Sequence, residues 1–444
     1  MSQLQKKWNA WLLFVGVLII IFVIVILVIT LVKNNDGDSS DLDQQSDLSE
    51  SANAQNDIFR TSYPHEFESW SMNEETSFVP MHRVEGLLDE RPQLVVLWAQ
   101  YAFDSRQNSL NKKAEDEEDV DIDNIHGAGY NGELSEVGTE IVSAIGCADC
   151  HEPETMKLRA AQPALREAWQ RKGKDLSTAS QQEMRSLVCG QCHTEYYFSI
   201  GEDPENSENE SYLLFPQENE LTCEAAEAYY DSIGYYDFIH PLSQTPIIRA
   251  QHPGFEIASQ GIHARRDVAC ADCHMPKVKS GNTTYTDHHI ISPLADMNRT
   301  CKNCHDEAPE VLIADVKANQ EKCLEVRNRA EQELAKAHFE AKFIIDNGAS
   351  SEQMKPIQDL LRRSQWRWDY ATASQGATFH APQEVTRLLT HSLDYAQQAR
   401  LKIAVIAARQ GFSNIPVPDF STKEKALQAV GIEEPKPMKI NQES

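Results

Sequence analysis

Positive charge is the first thing this chain lacks. Lys and Arg number 41 against 68 Asp and Glu, a net charge of -27 over 444 residues. A surface of that sign repels phosphate, so nucleic acid is excluded as a partner. Strand signals are sparse as well, which leaves a mainly α fold. Of the 10 cysteines, only Cys223 and Cys323 fall outside one repeated motif, so no disulfide framework is written into the chain. No cysteine lies between Trp98 and Cys147, and the pattern Cys-x-x-Cys-Lys occurs nowhere.

What does occur, four times, is Cys-x-x-Cys-His. The copies are Cys147–His151, Cys189–His193, Cys270–His274 and Cys301–His305, with second cysteines at Cys150, Cys192, Cys273 and Cys304. Each is the attachment signature of a c-type haem: two thiols form thioethers to the porphyrin edge and the adjacent His is the proximal ligand. Zinc knuckles use paired Cys-x-x-Cys motifs too, but they do not explain a His after every second Cys. Cys323 sits on an apolar stripe of helical spacing with Leu312, Val316, Val326 and Ala330, the pattern of a buried core thiol. Cys223 carries no signal, and a Cys223–Cys323 disulfide stays open.

Trp11–Val32 is an uncharged run of 22 residues, mostly Val, Ile and Leu. As a helix it would be about 33 Å long, enough for a bilayer core of roughly 30 Å. Lys6 and Lys7 precede it and Asp36, Asp38, Asp41 and Asp43 follow. The basic side stays in the cytoplasm. The expectation is an uncleaved single-pass anchor (1–33) in a bacterial inner membrane, with the body in the periplasm. An acidic flexible linker (34–57), a loop-rich haem-binding domain (58–307) and a helical region (308–444) follow. The helical region reads as long helices near 309–346, 352–375 and 383–410, the last stopped by Gly411. The acidic run Glu115–Asp123 reads as solvated chain, or as a steering surface for a basic redox partner.

Further stretches carry a resemblance. They include Leu94–Ala99, Glu195–Phe198, Ala250–Pro253, Cys273–Lys277, Tyr285–His288, His338–Lys342, Met354–Gln358 and Ser421–Lys425. Together with the haem motifs they resemble the ammonia-forming cytochrome c nitrite reductases, a pentahaem family, from about residue 64 to 431. The resemblance implies a distal His for each of three haems: His263 for the haem of His305, His288 for that of His151, and His380 for that of His274. It implies catalytic positions at Tyr196 and His252. It also implies calcium held by Glu195, Gln251 and the carbonyls of Tyr196 and Arg249, an oxygen set that suits a hard cation. His65, His240, His289, His338 and His391 take no role and read as solvated or hydrogen-bonded side chains.

The family's fifth, catalytic haem is attached through Cys-x-x-Cys-Lys. Here the segment between Trp98 and Cys147 is shortened and holds no cysteine, and the family's pocket Arg and the distal His for the Cys189 haem belong to the same lost stretch. His126 is the first candidate to replace that His, His82 the second, and an open iron the third. Three functions follow. One is electron transfer through four covalent haems, fed by a partner such as a quinol-oxidising cytochrome. Another is reduction of nitrite or a related small oxide at an open iron near Tyr196 and His252. The last is a non-catalytic subunit that pairs through the long helices, as a homodimer or with a complete relative.

Overall fold

The computed structural model describes residues 56, 59–75, 87–98, 145–202, 209–216, 220–374 and 376–432. The expected anchor Trp11–Val32, nearly all of the linker, the run Glu115–Asp123, His82 and His126 lie outside the described residues. Among the described residues no helix is long and apolar enough to cross a membrane. Two units emerge, Met1–Ser62 with Thr139–Gly146, and Tyr63–Gly138 with Cys147–Ser444. The second holds all four haem motifs.

Its C-terminal part is built on three long helices, Pro309–Asp346, Ser351–Thr372 and Pro382–Arg409. They match the expected spans to within a few residues, and local chemistry explains their ends. Pro309 and Pro382 open their helices at a position where the missing N–H has no partner to lose. Ser350 caps the second helix and exchanges hydrogen bonds with Gln353 in a capping box. Gly348 and Gly411, with φ of +89° and +92°, turn the chain out of the first and third helices through the left-handed region. On the third helix Val385, Leu388, Leu389, Ala396, Ala399 and Ile403 are buried at three- and four-residue spacing. They share one core with Leu334, Ala337, Ala341 and Ile344 of the first helix and Ile357, Leu361 and Trp368 of the second.

Leu94–Leu97, in the short helix Gln93–Trp98, belong to the same core and are fully buried. That core therefore draws on both sides of residue 308. A buried ionic cluster fixes the short helix to the bundle. Glu331, fully buried on the first long helix, accepts from Arg91, from Gln93 Nε2 at 2.5 Å and from Trp368 Nε1 at 3.0 Å. Cys223 and Cys323 are both free and buried, so the disulfide left open by the sequence is not formed. Cys323 instead donates its S–H toward the Pro382 carbonyl at 3.6 Å.

The described residues between 145 and 307 form short helices, turns and small antiparallel ribbons, Tyr197–Glu202 with Asn209–Leu214, Phe238–Ile239 with Pro246–Ile247, and Lys277–Ser280 with Thr283–Thr286. A second apolar cluster lies here, around Leu165, Trp169, Leu187 and Phe215. Replacing Glu331→Ala strands the buried Arg91 guanidinium and two further donors. The expected loss is about 3–5 kcal/mol, read as a lower denaturant midpoint by circular dichroism.

Candidate haem centres

The four motifs sit on short helical pieces that are tied in sequence order. Cys189 ends the helix Gln181–Gly190, whose start is fixed by a Ser180–Glu183 capping box. Gln191, inside that motif, donates to the Asp149 carbonyl at 3.0 Å in the first motif. Gln182 and Arg185 of the same helix donate to Asp272 at 2.7 and 2.8 Å in the third. The thiols of Cys189 and Cys270 lie within hydrogen-bonding reach of each other, and Cys301 of the fourth motif is near enough to help raise the Cys273 pKa. The attachment points thus run in a continuous row.

Opposite three of the motif histidines stands a second imidazole. His151 faces His288, His305 faces His263 and His274 faces His380, each pair with ring centroids 6.2 Å apart. A metal–imidazole bond of about 2 Å on each side, plus about 1.1 Å from nitrogen to centroid, gives roughly 6.2 Å. The gaps fit an iron between the rings. Second-shell bonds fix the tautomers. Nδ1–H of His151 donates to the Met156 carbonyl at 2.8 Å, that of His274 to Ile291 at 3.1 Å and that of His288 to Thr286 at 2.8 Å. Each leaves Nε2 bare as the metal-binding nitrogen. Met156 adopts φ of +55°, an unusual conformation for a side-chain-bearing residue, in the turn that aims its carbonyl. Burial lowers the pKa of His263, His274, His288 and His380, the last to about 4, so these rings stay neutral as ligands must.

Remote segments hold the far histidines. The backbone N–H of His288 donates to Ser69 Oγ at 2.9 Å, and Asn73 Nδ2 donates to the His288 carbonyl at 2.7 Å. His380 is admitted by two glycines. A Cβ on Gly261 would lie 2.0 Å from the His380 carbonyl oxygen, and one on Gly376 would lie 2.6 Å from its Cε1. Phe379 lies against both His263 and His380, with ring centroids 5.8 Å apart in each case.

The Cys189 motif differs. His193 meets His252, with ring centroids 4.6 Å apart and Nδ1 of His193 2.6 Å from Nε2 of His252. That gap is too small for an iron, so His252 is a neighbour on the Nδ1 side and not a cap. Burial, with His193 beside it, holds the His252 pKa down at about 4. Tyr196 lies half-buried against the second apolar cluster.

Three of the four expected calcium residues converge. Tyr230 donates to Glu195 Oε1 at 3.1 Å and reaches the Tyr196 carbonyl at 3.4 Å, while the Gln251 N–H donates to Glu195 Oε2 at 2.9 Å. The fourth, Arg249, donates its backbone N–H to Asp237 at 2.6 Å and its guanidinium to Asp369 at 2.5 Å. Burial pushes Glu195 well above the usual carboxylate value, against the pull of the Gln251 N–H, and Glu256 and Asp237 add to the rise. Asp237 is itself raised to about 6 by burial. Among the described residues no three His, Cys, Asp or Glu side chains are placed to hold a metal. One buried carboxylate with carbonyl partners, in an excess of negative charge, still suits a hard cation.

Two histidines without an expected role are not solvated. His240 and His338 are fully buried and stack at 3.7 Å between ring centroids. His240 Nε2 bonds the Val96 carbonyl at 2.9 Å, and His338 bridges Ser243 and Gln365. Their partners come from distant segments, and no local pattern announces them.

Helical architecture, a row of haem-attachment motifs and iron-sized imidazole gaps define a multihaem c-type cytochrome. Comparison gives the family. The model of the cytochrome c552 family matches residues 117–444. Cytochrome c-552 of Porphyromonas gingivalis is 43% identical over 465 residues, covering 96% of this chain and 92% of that protein. Cytochrome c-552 of Parabacteroides distasonis is 43% identical over 473 residues, covering 98% and 93%. The chain belongs to the cytochrome c552 family. Both alignments are longer than the 444 residues of this chain, so these relatives carry residues that it lacks. Among solved structures, the cytochrome c nitrite reductase of Desulfovibrio desulfuricans aligns with a TM-score of 0.63 and 26% identity. It covers 81% of this chain and 88% of its own, and its catalytic subunit, NrfA, has two calcium sites.

If the facing pairs bracket irons, His380→Ala opens one of them. The expected result is a new high-spin ferric signal by electron paramagnetic resonance. His391→Ala, at a ring bonded to Arg387 at 3.3 Å and apart from every facing pair, leaves the spectrum unchanged.

Proposed function

We propose that the chain relays electrons through four covalently bound c-type haems and does not itself reduce nitrite. The observation that carries this reading is the set of three imidazole pairs, each with ring centroids 6.2 Å apart. An iron held from both sides has no free position for substrate. When bound, each haem supplies a one-electron couple. The protein's part is to fix both axial rings, keep them neutral and line up the attachment points. The absence of Cys-x-x-Cys-Lys removes the resembled family's catalytic haem from the covalent set. His126 would cap the Cys189 haem.

The wider setting follows the same reading. Trp11–Val32 would anchor the chain in the inner membrane, with the body in the periplasm near a quinol-oxidising donor. A second copy would pair through the long helices, where Leu401 and Val405 are exposed one turn apart. Calcium would sit at Glu195 with Gln251 and the Tyr196 and Arg249 carbonyls. Reduction of a small oxide at an open Cys189 iron is the second reading, favoured by the intact Glu195–Gln251 frame beside Tyr196 and His252.

Low-temperature electron paramagnetic resonance of the oxidised protein, with haem counted per chain and nitrite then added, separates the two. Four low-spin haems that ignore nitrite are expected. A high-spin signal that shifts with nitrite returns the chain to the reductases. For the cation, stripping with a chelator should lower the thermal midpoint and calcium should restore it, by about 2.7 kcal/mol at a hundredfold excess over Kd. Glu195→Gln should abolish that response.

A further inference from the structure

The Nδ1 partner of His193 sets it apart from the other motif histidines. His151 and His274 donate Nδ1–H to backbone carbonyls, Met156 and Ile291. His305 has the Glu307 carboxylate 3.7 Å from Nδ1, beyond hydrogen-bond range. His193 instead has a side chain at hydrogen-bond distance from Nδ1, the Nε2 of His252 at 2.6 Å. Because His193 must leave Nε2 bare for iron, its proton is on Nδ1, and His252 must accept.

That contact is held from several sides. The Glu195 carboxylate takes the Gln251 N–H at 2.9 Å, one residue before His252. The His193 carbonyl takes the Phe255 N–H at 2.6 Å, and the His252 carbonyl takes the Gly254 N–H at 2.7 Å. Thr194 Oγ1 and the Glu195 N–H both donate to Glu256 Oε1, at 2.6 and 2.9 Å. Residues 193–195 and 251–256 are thus stitched rung by rung, with the two imidazoles as one rung.

We infer that His252 is a positioning residue for the Cys189 haem: by accepting the Nδ1–H of His193 it fixes that ring and strengthens it as a donor, favouring the ferric iron. A better donor stabilises the more highly charged metal, so the contact lowers the potential of one haem in four. The ring that resemblance places in a substrate pocket is then committed to the other side of a proximal ligand. This rests on His193 being the proximal ligand of a bound haem.

Potentiometric titration of the intact tetrahaem protein, followed optically and by electron paramagnetic resonance, tests it. In His252→Leu the haem count stays at four and one midpoint moves positive. A roughly tenfold loss of ferric preference, within the range for outer-shell partners, reads as about 59 mV for a one-electron couple. In His252→Gln the amide oxygen accepts from His193, and the shift is smaller. Four retained haems with no moved midpoint overturn the inference, as does an equal shift in both variants. Should the Leu variant fail to fold, His252→Phe, which also removes the acceptor, takes its place, and four retained haems with an unmoved midpoint there overturn the inference. A wild-type chain carrying three covalent haems, with the Cys189 motif empty by mass mapping, overturns the reading beneath it instead.

Discussion

Three of the four haem motifs answer to one dimension, the 6.2 Å between the ring centroids of two facing imidazoles. The Cys-x-x-Cys-His motif sets only one side of that gap. The other side comes from far along the chain, so the scaffold has to deliver a second ring to within a fraction of an ångström. It does so with backbone means. Ser69 and Asn73 clamp the His288 backbone, and Gly261 and Gly376 clear room for His380. The long helices supply the rigid body behind them, with Trp366, Trp368 and Leu361 fully buried on the second helix. Small side chains near the rings are therefore as much a part of the haem sites as the histidines.

How much of this was legible follows from how local each signal is. Helix ends were legible because Pro309, Pro382, Ser350 and Gly411 act on their own neighbours. The histidines His263, His288 and His380 were legible through their motif context, and each stands opposite the motif histidine expected for it. The core reaching across residue 308 was not, because Leu94–Leu97 join a bundle far along the chain. The Glu331 cluster and the His240–His338 stack were equally silent. Their partners are distant in sequence, and a buried charge or imidazole looks like any other until its partners are in place.

The segment between Trp98 and Cys147, short by the resemblance, starts from a firmly held edge. Trp98 closes the buried helix Gln93–Trp98, with the Arg249 guanidinium 5.4 Å over its ring. Arg249 in turn binds Asp369 on the second long helix. So the edge of the shortened segment is tied into the bundle by stacking and by an ion pair, and the core continues beneath it.

The Glu195 frame has a structural use of its own beside His193. Glu195 lies two residues beyond His193, and its carboxylate holds the Gln251 backbone beside His252. Removing the carboxylate would loosen the hydrogen bonds between residues 193–195 and 251–256 that seat His193, whatever happens to any substrate. A buried carboxylate with its pKa pushed up is costly to keep, and a hard cation beside it offsets that cost. The Glu195–Gln251 bond beside His252 therefore has a use at the haem motif of His193 whether or not a substrate binds there.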